Sequence, residues 1–428
     1  MARAERRRRG PLRRALTVVV TVLLAVVVIC AAYVGYVAVR GARPVTLPAP
    51  TGRYAVGRVT YDWTDAGRAD PLAPHPGAAR ELSVWLWYPV SRADAWRGHH
   101  AGYAPGAWSN LHFPGLVGVG ESSFGKLRIH AREGEPVANG RFPVVVLEPG
   151  LGFAAPQYTT LAENLASHGY LVAGVTPTYS ANLTVVHGRP VRSTDAGNPN
   201  DLEGGSARAV AAANRIVGVW AADAQFAARR VAALDRAMDR PGGDLDLRGH
   251  VDTGRVAYAG HSFGGAASLE ACRADAACAG AVDLDGREFG PVVHTGLRAP
   301  LMLLGSENSC ITGTCSAASS GDRGDLAAAH SLLAASTGEE YAYSITGARH
   351  FNFTDYGAYY LAWPLHALLA LGSIDGDRAL EVQNAYLVAF LDHVVHGSTR
   401  PLLTAPHPKD FPEVRLLRHR AAAEPASP

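Results

Sequence analysis

Short apolar segments alternate with segments of helical spacing through the centre and C-terminal half of the chain. The apolar segments are Phe142–Leu147, Leu171–Val175, Val256–Tyr258, Gly280–Leu284, Pro300–Leu304 and Tyr341–Ile345. Helical spacing is found over Tyr158–His168, Ser206–Met238 and Arg378–His396. Strands buried on both faces are continuously apolar, and their alternation with helices is typical of a parallel sheet covered on both faces. The pattern therefore predicts an α/β fold with a mostly parallel central sheet.

The flanking regions are less regular. Two strand-like stretches, Tyr54–Trp63 and Glu81–Tyr88, precede the alternating region. Residues 91–140 have no clear period, and residues 181–205 are polar, so we expect irregular chain in the first and a long loop in the second. From Ser398 the chain is Pro-rich, and residues 398–428 are expected to form a loose tail. The predicted folded domain therefore spans residues 53–397.

The N-terminus has a different composition. Seven arginines within the first 14 residues precede an uncharged apolar run, Ala15–Val39. Such a run can cross the roughly 30 Å hydrocarbon core of a bilayer as one helix. More arginines precede it than follow it, which predicts a cytoplasmic segment (1–14), a transmembrane signal-anchor helix (15–39), a Pro-rich linker (40–52) and an extracellular remainder. A cleaved signal peptide, and hence a secreted protein, is the alternative.

Charge and cysteine content bear on the binding partners and on the cellular location of the protein. The chain has 428 residues and a net charge of +2, which argues against a nucleic-acid-binding surface. Beyond Cys30, the close spacing of the remaining four cysteines favours the disulfides Cys272–Cys278 and Cys310–Cys315, in keeping with an extracytoplasmic location. Zinc is the weaker alternative because the spacing is not C-x-x-C and no paired histidines accompany it. We expect neither metal nor cofactor, and the sequence indicates no oligomeric state.

A candidate nucleophile lies between an apolar strand and a helix of small residues. The sequence Gly260-His261-Ser262-Phe263-Gly264 has the G-x-S-x-G pattern of a nucleophile elbow. In that turn the serine hydroxyl projects outward, and glycines on either side allow strand and helix to approach closely. Ser262 is therefore the predicted nucleophile, and Gly260 and Gly264 are the predicted elbow glycines. We expect His261 to point elsewhere, into packing or a contact behind the site.

A serine nucleophile needs a base, and the base needs an orienting acid. His350 directly follows the strand Tyr341–Ile345 and is the predicted base. Asp285 ends the strand after the elbow, where the carboxyl ends of parallel strands form ligand sites, and is the favoured acid. Glu307, after the next strand, and Asp283 are the alternatives.

The oxyanion formed on attack at an ester carbonyl needs N–H donors that are already in place. The amide after the nucleophile, that of Phe263, is one predicted donor. The other is expected in the glycine turn Gly150-Leu151-Gly152 after the strand Phe142–Leu147, and Leu151 is the favoured residue.

These motifs resemble those of the plasma-type platelet-activating factor acetylhydrolases and their bacterial relatives. The similar segments are GHSFGGA at the elbow, VDLDG at Asp285, HFNFTDY at His350, PGLG with LAENLASHGYLVAGV, and the first strands TGRYAVGRVTYDW and ELSVWLWYP. The resemblance covers most of residues 49–415. It implies an α/β-hydrolase fold and a metal-independent serine esterase that removes short or oxidised acyl chains from the sn-2 position of phospholipids.

One position departs from the family pattern. Pro149 stands where the family usually has a histidine, which bears on the detailed geometry of the oxyanion loop. We therefore expect a membrane-anchored, extracytoplasmic serine ester hydrolase with a small ester or phospholipid substrate. The alternatives are an acyltransferase, an esterase for polyesters or other non-phospholipid esters, and a catalytically silent binding module on the same fold.

Overall fold

The computed structural model of the chain describes residues 2–112, 121–200, 202, 206–236, 245–360 and 370–422. The end of the helix predicted to reach Met238 lies outside these residues. Within them, 11 strands form one central sheet. In chain order they are β1 (Ala55–Ala69), β2 (Ala79–Val90), β3 (His99–His100), β4 (Arg132–Glu133), β5 (Phe142–Glu148), β6 (Leu171–Thr176), β7 (Val251–His261), β8 (Cys278–Leu284), β9 (Leu301–Gly305), β10 (Glu340–Ile345) and β11 (Val414–Arg420).

The sheet has a parallel centre with antiparallel edges. The strand order is β11-β10-β9-β8-β7-β5-β6-β2-β1-β4-β3. Strands β10, β9, β8, β7, β5 and β6 are parallel neighbours. Strand β2 runs antiparallel to β6 and to β1. The carboxyl ends of six parallel strands therefore meet at one edge, which is where ligand sites form in open α/β sheets.

Helices cover both faces of the sheet. They are α2 (Thr159–Ser167), α3 (Ala207–Leu234), α4 (Phe263–Arg273), α5 (Val292–Thr295), α6 (Ser320–Ala335), α7 (Tyr356–Tyr359) and α8 (Gly376–His396), and helix α1 (Ala2–Gly41) precedes the sheet in the chain. Alternate residues of β5 serve the two layers: Val145 and Leu147 pack with α2 and α8, whereas Val144 and Val146 pack with α3, α4 and α6. The predicted α/β fold with helices on both faces is thus confirmed.

Short elements fill the regions predicted to be irregular. A parallel pair joins Val45–Thr46 to Leu127–Arg128, and a hairpin joins Thr184–Val186 to Arg189–Val191. The hairpin lies inside the predicted loop 181–205, where its alternation is too short to be detected. The 3₁₀ segments are Gly106–Leu111, Phe124–Lys126, Ala155–Tyr158, Cys310–Thr312, His350–Phe353 and Pro401–Leu403.

The prediction of a loose C-terminal tail was wrong. Strand β11 pairs antiparallel with β10 and forms one edge of the central sheet. The carboxylate of Glu340, which is fully buried, accepts a hydrogen bond from Arg418 at 2.7 Å and also pairs with Arg420. Four prolines of the tail lie before β11 and two follow it, and this composition placed the end of the domain at residue 397, too early in the chain.

Both favoured disulfides are present. Cys272 at the end of α4 is joined to Cys278 at the start of β8. Cys310 is joined to Cys315 in the loop after β9. Helix α1 contains a segment, Arg13–Gly41, that is long and apolar enough to cross a membrane, and the side chains of its apolar window are not buried. Both features fit an extracytoplasmic protein with an N-terminal anchor or signal sequence.

A buried ion-pair cluster fastens α3 to the sheet near the carboxyl edge. The guanidinium of Arg80 donates to Asp223 on α3 at 2.6 Å, to Asp70 at 2.9 Å and to the carbonyl of Thr178 at 2.8 Å. Arg68 also pairs with Asp223. Because Arg80, Asp70 and Asp223 are all buried, each charge depends on the others for the hydrogen bonds that water would otherwise provide.

Removing one acid from this cluster should destabilise the fold. We expect Asp223→Ala to lower the free energy of unfolding by about 3–5 kcal/mol, because Arg80 would keep a buried charge without its main partner. Urea unfolding of the full chain in detergent, followed by tryptophan fluorescence, measures this. The control is Asp94→Ala, which removes the solvent-accessible pair with Arg97 and should cost less than about 1 kcal/mol. Equal losses in the two variants would contradict the assignment.

Candidate active site

Ser262 occupies a strained turn between β7 and α4. Its φ is 57° and its ψ −126°, a conformation that L residues rarely adopt. A Cβ on Gly260 would overlap the carbonyl of Gly264, and a Cβ on Gly264 would overlap the carbonyl of Pro149. The two predicted elbow glycines therefore lie where strand, helix and the loop after β5 touch through backbone atoms. The turn has the local geometry that the G-x-S-x-G pattern predicts.

The predicted nucleophile, base and acid lie in one line of hydrogen bonds. The Ser262 Oγ is 2.9 Å from Nε2 of His350, and Nδ1 of His350 is 2.8 Å from Oδ2 of Asp285. Asp285 follows β8 and His350 begins the 3₁₀ segment after β10. Three separate strand ends thus bring these residues together at the carboxyl edge of the sheet.

Asp285 is oriented by the backbone around it. Its φ is 57°, and its amide donates to the carbonyl of Leu304 at 3.0 Å. Its second oxygen, Oδ1, accepts from the amide of Ser306 at 2.7 Å. One carboxylate oxygen is therefore held by the loop after β9, which leaves Oδ2 facing the imidazole of His350. No pattern in the sequence predicts that the backbone amide of Ser306 donates this hydrogen bond.

The two alternative acids have other partners. Asp283 is fully buried and accepts from the amide of Gly286 at 2.8 Å, and burial raises the pKa of its carboxyl well above the ordinary value. The Glu307 carboxylate is exposed and accepts from the amide of Gly347 at 2.9 Å. Of the three candidate acids, Asp285 is the one whose carboxylate is hydrogen-bonded to His350.

The loop after β5 passes directly over the nucleophile. A Cβ built on Gly150 would lie 3.3 Å from the Cβ of Ser262. Leu151 is half-buried and packs against an apolar cluster that includes Phe263 and Trp220. The amide of Phe263 is the first of α4, and a first-turn amide has no acceptor within its own helix. This places both predicted oxyanion donors in segments that border Ser262, and their role in binding an oxyanion stays a prediction.

His261 and Tyr158 lie behind the triad. His261 is fully buried, and burial, followed by the neighbouring His350, holds the pKa of its imidazole well below the ordinary value. Its Nδ1 is 2.8 Å from the Tyr158 hydroxyl, and its Nε2 is 3.0 Å from the carbonyl of His350. The expectation that His261 points away from the nucleophile agrees with this geometry. The sequence does not distinguish Tyr158 from the other tyrosines of the chain, which has 16 in all. It stands at the start of a predicted helix, a position that indicates no chemical role.

A cavity of about 530 Å³ lies beside the loop after β5. Its lining is both polar and apolar and includes Gly152, Gln157, Asn182, Arg192 and Ser109. Its volume lies within the range that is usual for small-molecule sites. Within the residues that the structure describes, no group of three or more His, Cys, Asp or Glu side chains is arranged to hold a metal ion.

Comparison with known proteins places these features in a family. The model of the family "Platelet-activating factor acetylhydrolase, isoform II" matches residues 41–197 and 231–398. A platelet-activating factor acetylhydrolase of Canis lupus familiaris is 24% identical over 278 residues, which are 61% of this chain and 60% of that protein. The one from Cavia porcellus is 24% identical over 307 residues, 65% of this chain and 66% of that protein.

A solved structure extends the likeness. A ferulic acid esterase from Streptomyces cinnamoneus superposes with a TM-score of 0.69 and 30% identity, over 88% of this chain and 100% of that one. The chain spans 60% to 66% of the length of these two curated relatives. The family model matches most of the chain outside α1, including the elbow, Asp285 and His350. By this match the chain belongs to the isoform II family of platelet-activating factor acetylhydrolases and has the α/β-hydrolase fold.

Proposed function

We propose that this chain is a serine hydrolase of carboxylic esters, with Ser262 as nucleophile, His350 as base and Asp285 as orienting acid. The observation that carries the proposal is the unbroken line of hydrogen bonds from Ser262 through His350 to Asp285, on a turn that projects the serine hydroxyl. Membership of the family and the likeness to a ferulic acid esterase support the same reaction class.

The reaction follows from the positions of these groups. As the Ser262 Oγ attacks the ester carbonyl, its proton passes to Nε2 of His350. The carbonyl oxygen becomes an oxyanion, which the amides of Phe263 and Leu151 stabilise. His350 then gives the proton to the leaving alcohol as the carbon–oxygen bond breaks, and an acyl-enzyme remains. Water, deprotonated by His350, attacks the acyl-enzyme and releases the acid and the free serine.

Asp285 acts through His350. Its Oδ2 accepts from Nδ1–H, which leaves Nε2 without a proton and facing the serine. Its negative charge also stabilises the imidazolium that forms during attack. The amide of Ser306 on Oδ1 keeps the carboxylate from rotating away from the ring.

The proposed substrate is a phospholipid with a short or oxidised sn-2 acyl chain. This rests on the family and on its curated relatives, which carry the name platelet-activating factor acetylhydrolase. The likeness to a ferulic acid esterase favours a second candidate, an ester outside the phospholipids such as a feruloyl ester. Acyl transfer to an alcohol would use the same acyl-enzyme, and excess alcohol acceptor separates it from hydrolysis.

We further propose that α1 anchors the enzyme in the cell membrane with the catalytic domain outside. The apolar segment Arg13–Gly41, the arginines before it and the two disulfides support this orientation. Protease added to intact cells should then degrade the catalytic domain. Protection of that domain until the cells are lysed would contradict the orientation, and its release into the medium would indicate cleavage of the anchor.

The nucleophile is tested by Ser262→Ala. We expect hydrolysis of p-nitrophenyl acetate to fall by at least about 10³-fold, because the acyl-enzyme can no longer form. Ser331→Ala, on the outer helix α6, is the control and should keep wild-type turnover. In the same assay, comparison of methyl ferulate with phospholipids of short and long sn-2 chains assigns the substrate class. Full activity of Ser262→Ala would overturn the proposed function.

The acid is tested by a matched pair of amides. Asp285→Asn should lower kcat by about 10³- to 10⁴-fold, because an amide that donates to Nδ1 moves the imidazole proton to Nε2, where it blocks the serine. Glu307→Gln should change kcat only a few-fold, since its side chain can still accept from the amide of Gly347. Stopped assays with p-nitrophenyl acetate measure both. The reverse order of effects would assign the acid to the loop after β9.

A further inference from the structure

We propose that Tyr158 and His261 act as a positioning pair, which holds the oxyanion loop and the backbone of His350 in fixed relation to Ser262. Neither side chain contacts the reacting atoms in the mechanism above, so both are positioning residues. The inference rests on the proposed function, because it assigns them a role in the reaction of that same site.

The direction of every hydrogen bond in the pair is determined by its end groups. The amide of Gly150 can only donate, and it donates to the Tyr158 hydroxyl at 2.8 Å. The carbonyl of His350 can only accept, so Nε2 of His261 carries the proton across the 3.0 Å contact. In a neutral His261, Nδ1 is then unprotonated and accepts the Tyr158 hydroxyl proton at 2.8 Å. One neutral tautomer of His261 satisfies the whole chain.

These hydrogen bonds join three backbone segments whose relative positions the reaction depends on. Gly150 precedes the predicted oxyanion donor Leu151, His261 precedes Ser262, and the carbonyl of His350 belongs to the base itself. Each segment leaves a different strand of the sheet, so the sheet alone does not fix the distances between their loops. A side-chain link across all three restricts those distances.

The position of Tyr158 is itself fixed by the segment that follows His350. The carboxylate of Asp355 accepts from the amides of Thr159 and Thr160 at 2.8 and 3.1 Å. The amide of Asp355 donates to the carbonyl of Gln157 at 3.0 Å. The residues on both sides of Tyr158 are therefore hydrogen-bonded to the loop that carries the base. This restricts the position of the Tyr158 hydroxyl relative to that loop.

A neutral His261 also suits the charge changes of the reaction. The centroids of the His261 and His350 rings are 4.6 Å apart, so a charge on His261 would oppose the imidazolium that His350 becomes. Protonation of Nδ1 would also take away the acceptor that the Tyr158 hydroxyl proton uses in this arrangement. The hydrogen-bond pattern and the burial of the ring both keep His261 uncharged.

The tautomer can be observed without any turnover. In the full chain labelled with ¹⁵N-histidine, long-range ¹H–¹⁵N spectra report the protonated nitrogen of each ring, and the His261 signal is assigned by its loss in His261→Asn. We expect the Nε2–H tautomer with no titration between about pH 5 and about pH 8, the range in which ordinary histidines change charge. An Nδ1–H tautomer, or titration within that range, would overturn the pair.

The effect on the reaction is tested by Tyr158→Phe. It removes one oxygen atom, and we expect kcat to fall by about ten- to a hundredfold with KM within about twofold, since misplaced groups slow the chemistry more than binding. Tyr170→Phe is the matched control: that buried hydroxyl donates to Asp392, also at 2.8 Å, and its loss should leave kcat unchanged. Thermal unfolding of both variants records any general loss of stability.

The outcomes separate the two proposals. A kcat of Tyr158→Phe within twofold of that of Tyr170→Phe would overturn the positioning role while leaving the esterase intact. Wild-type protein that fails to turn over any ester would contradict the proposed function, and the tautomer of His261 would still decide whether the pair exists. If kcat and the melting temperature fell by the same amounts in Tyr158→Phe and in Tyr170→Phe, Tyr158 would have a merely structural role.

Discussion

The close backbone contact at the nucleophile turn is the constraint on which the rest of the site depends. Ser262 holds a left-handed φ because strand β7, helix α4 and the loop after β5 meet there with no room for a Cβ on Gly260 or Gly264. The same contact brings Gly150 against Ser262, so one turn positions both the serine hydroxyl and the adjacent loop that is predicted to bind the oxyanion. Backbone strain of this kind persists only where surrounding structure determines it, and here the surroundings are the parallel centre of the sheet.

The sheet then supplies the partners by topology. Asp285 and His350 are 65 residues apart in the chain, yet Oδ2 of Asp285 lies 2.8 Å from Nδ1 of His350. They meet because β8 and β10 end at the same edge of the sheet. What topology does not supply is orientation, and in each case a backbone group provides it. The amide of Ser306 holds Asp285, and the carbonyl of His350 is held by His261. The site is thus a set of strand ends made rigid by hydrogen bonds between their loops.

Much of this could be predicted from sequence, and the limits have a physical cause. The alternating pattern predicted the fold class, and local signals marked the three candidate residues: the G-x-S-x-G pattern for Ser262, and a position after an apolar strand for Asp285 and His350. Tyr158 and Ser306 were missed because their importance comes from partners that are distant in the chain, and nothing in their own neighbourhood marks them. Strand β11 was missed because prolines precede it and because its pairing with β10 depends on Glu340, 78 residues from Arg418. The acid was left open among three carboxylates, since sequence does not show where a side chain points.

The proposed mechanism requires Ser262 to be an activated nucleophile in the folded protein. Reaction of the full chain with a fluorophosphonate, followed by peptide mass spectrometry, tests this most directly, because such reagents modify serines that a neighbouring base has activated. One adduct is expected, on the peptide that contains Ser262, and it should be lost when the protein is denatured before labelling. A folded protein that remains unlabelled, or that is modified at another residue while Ser262 stays free, would contradict it.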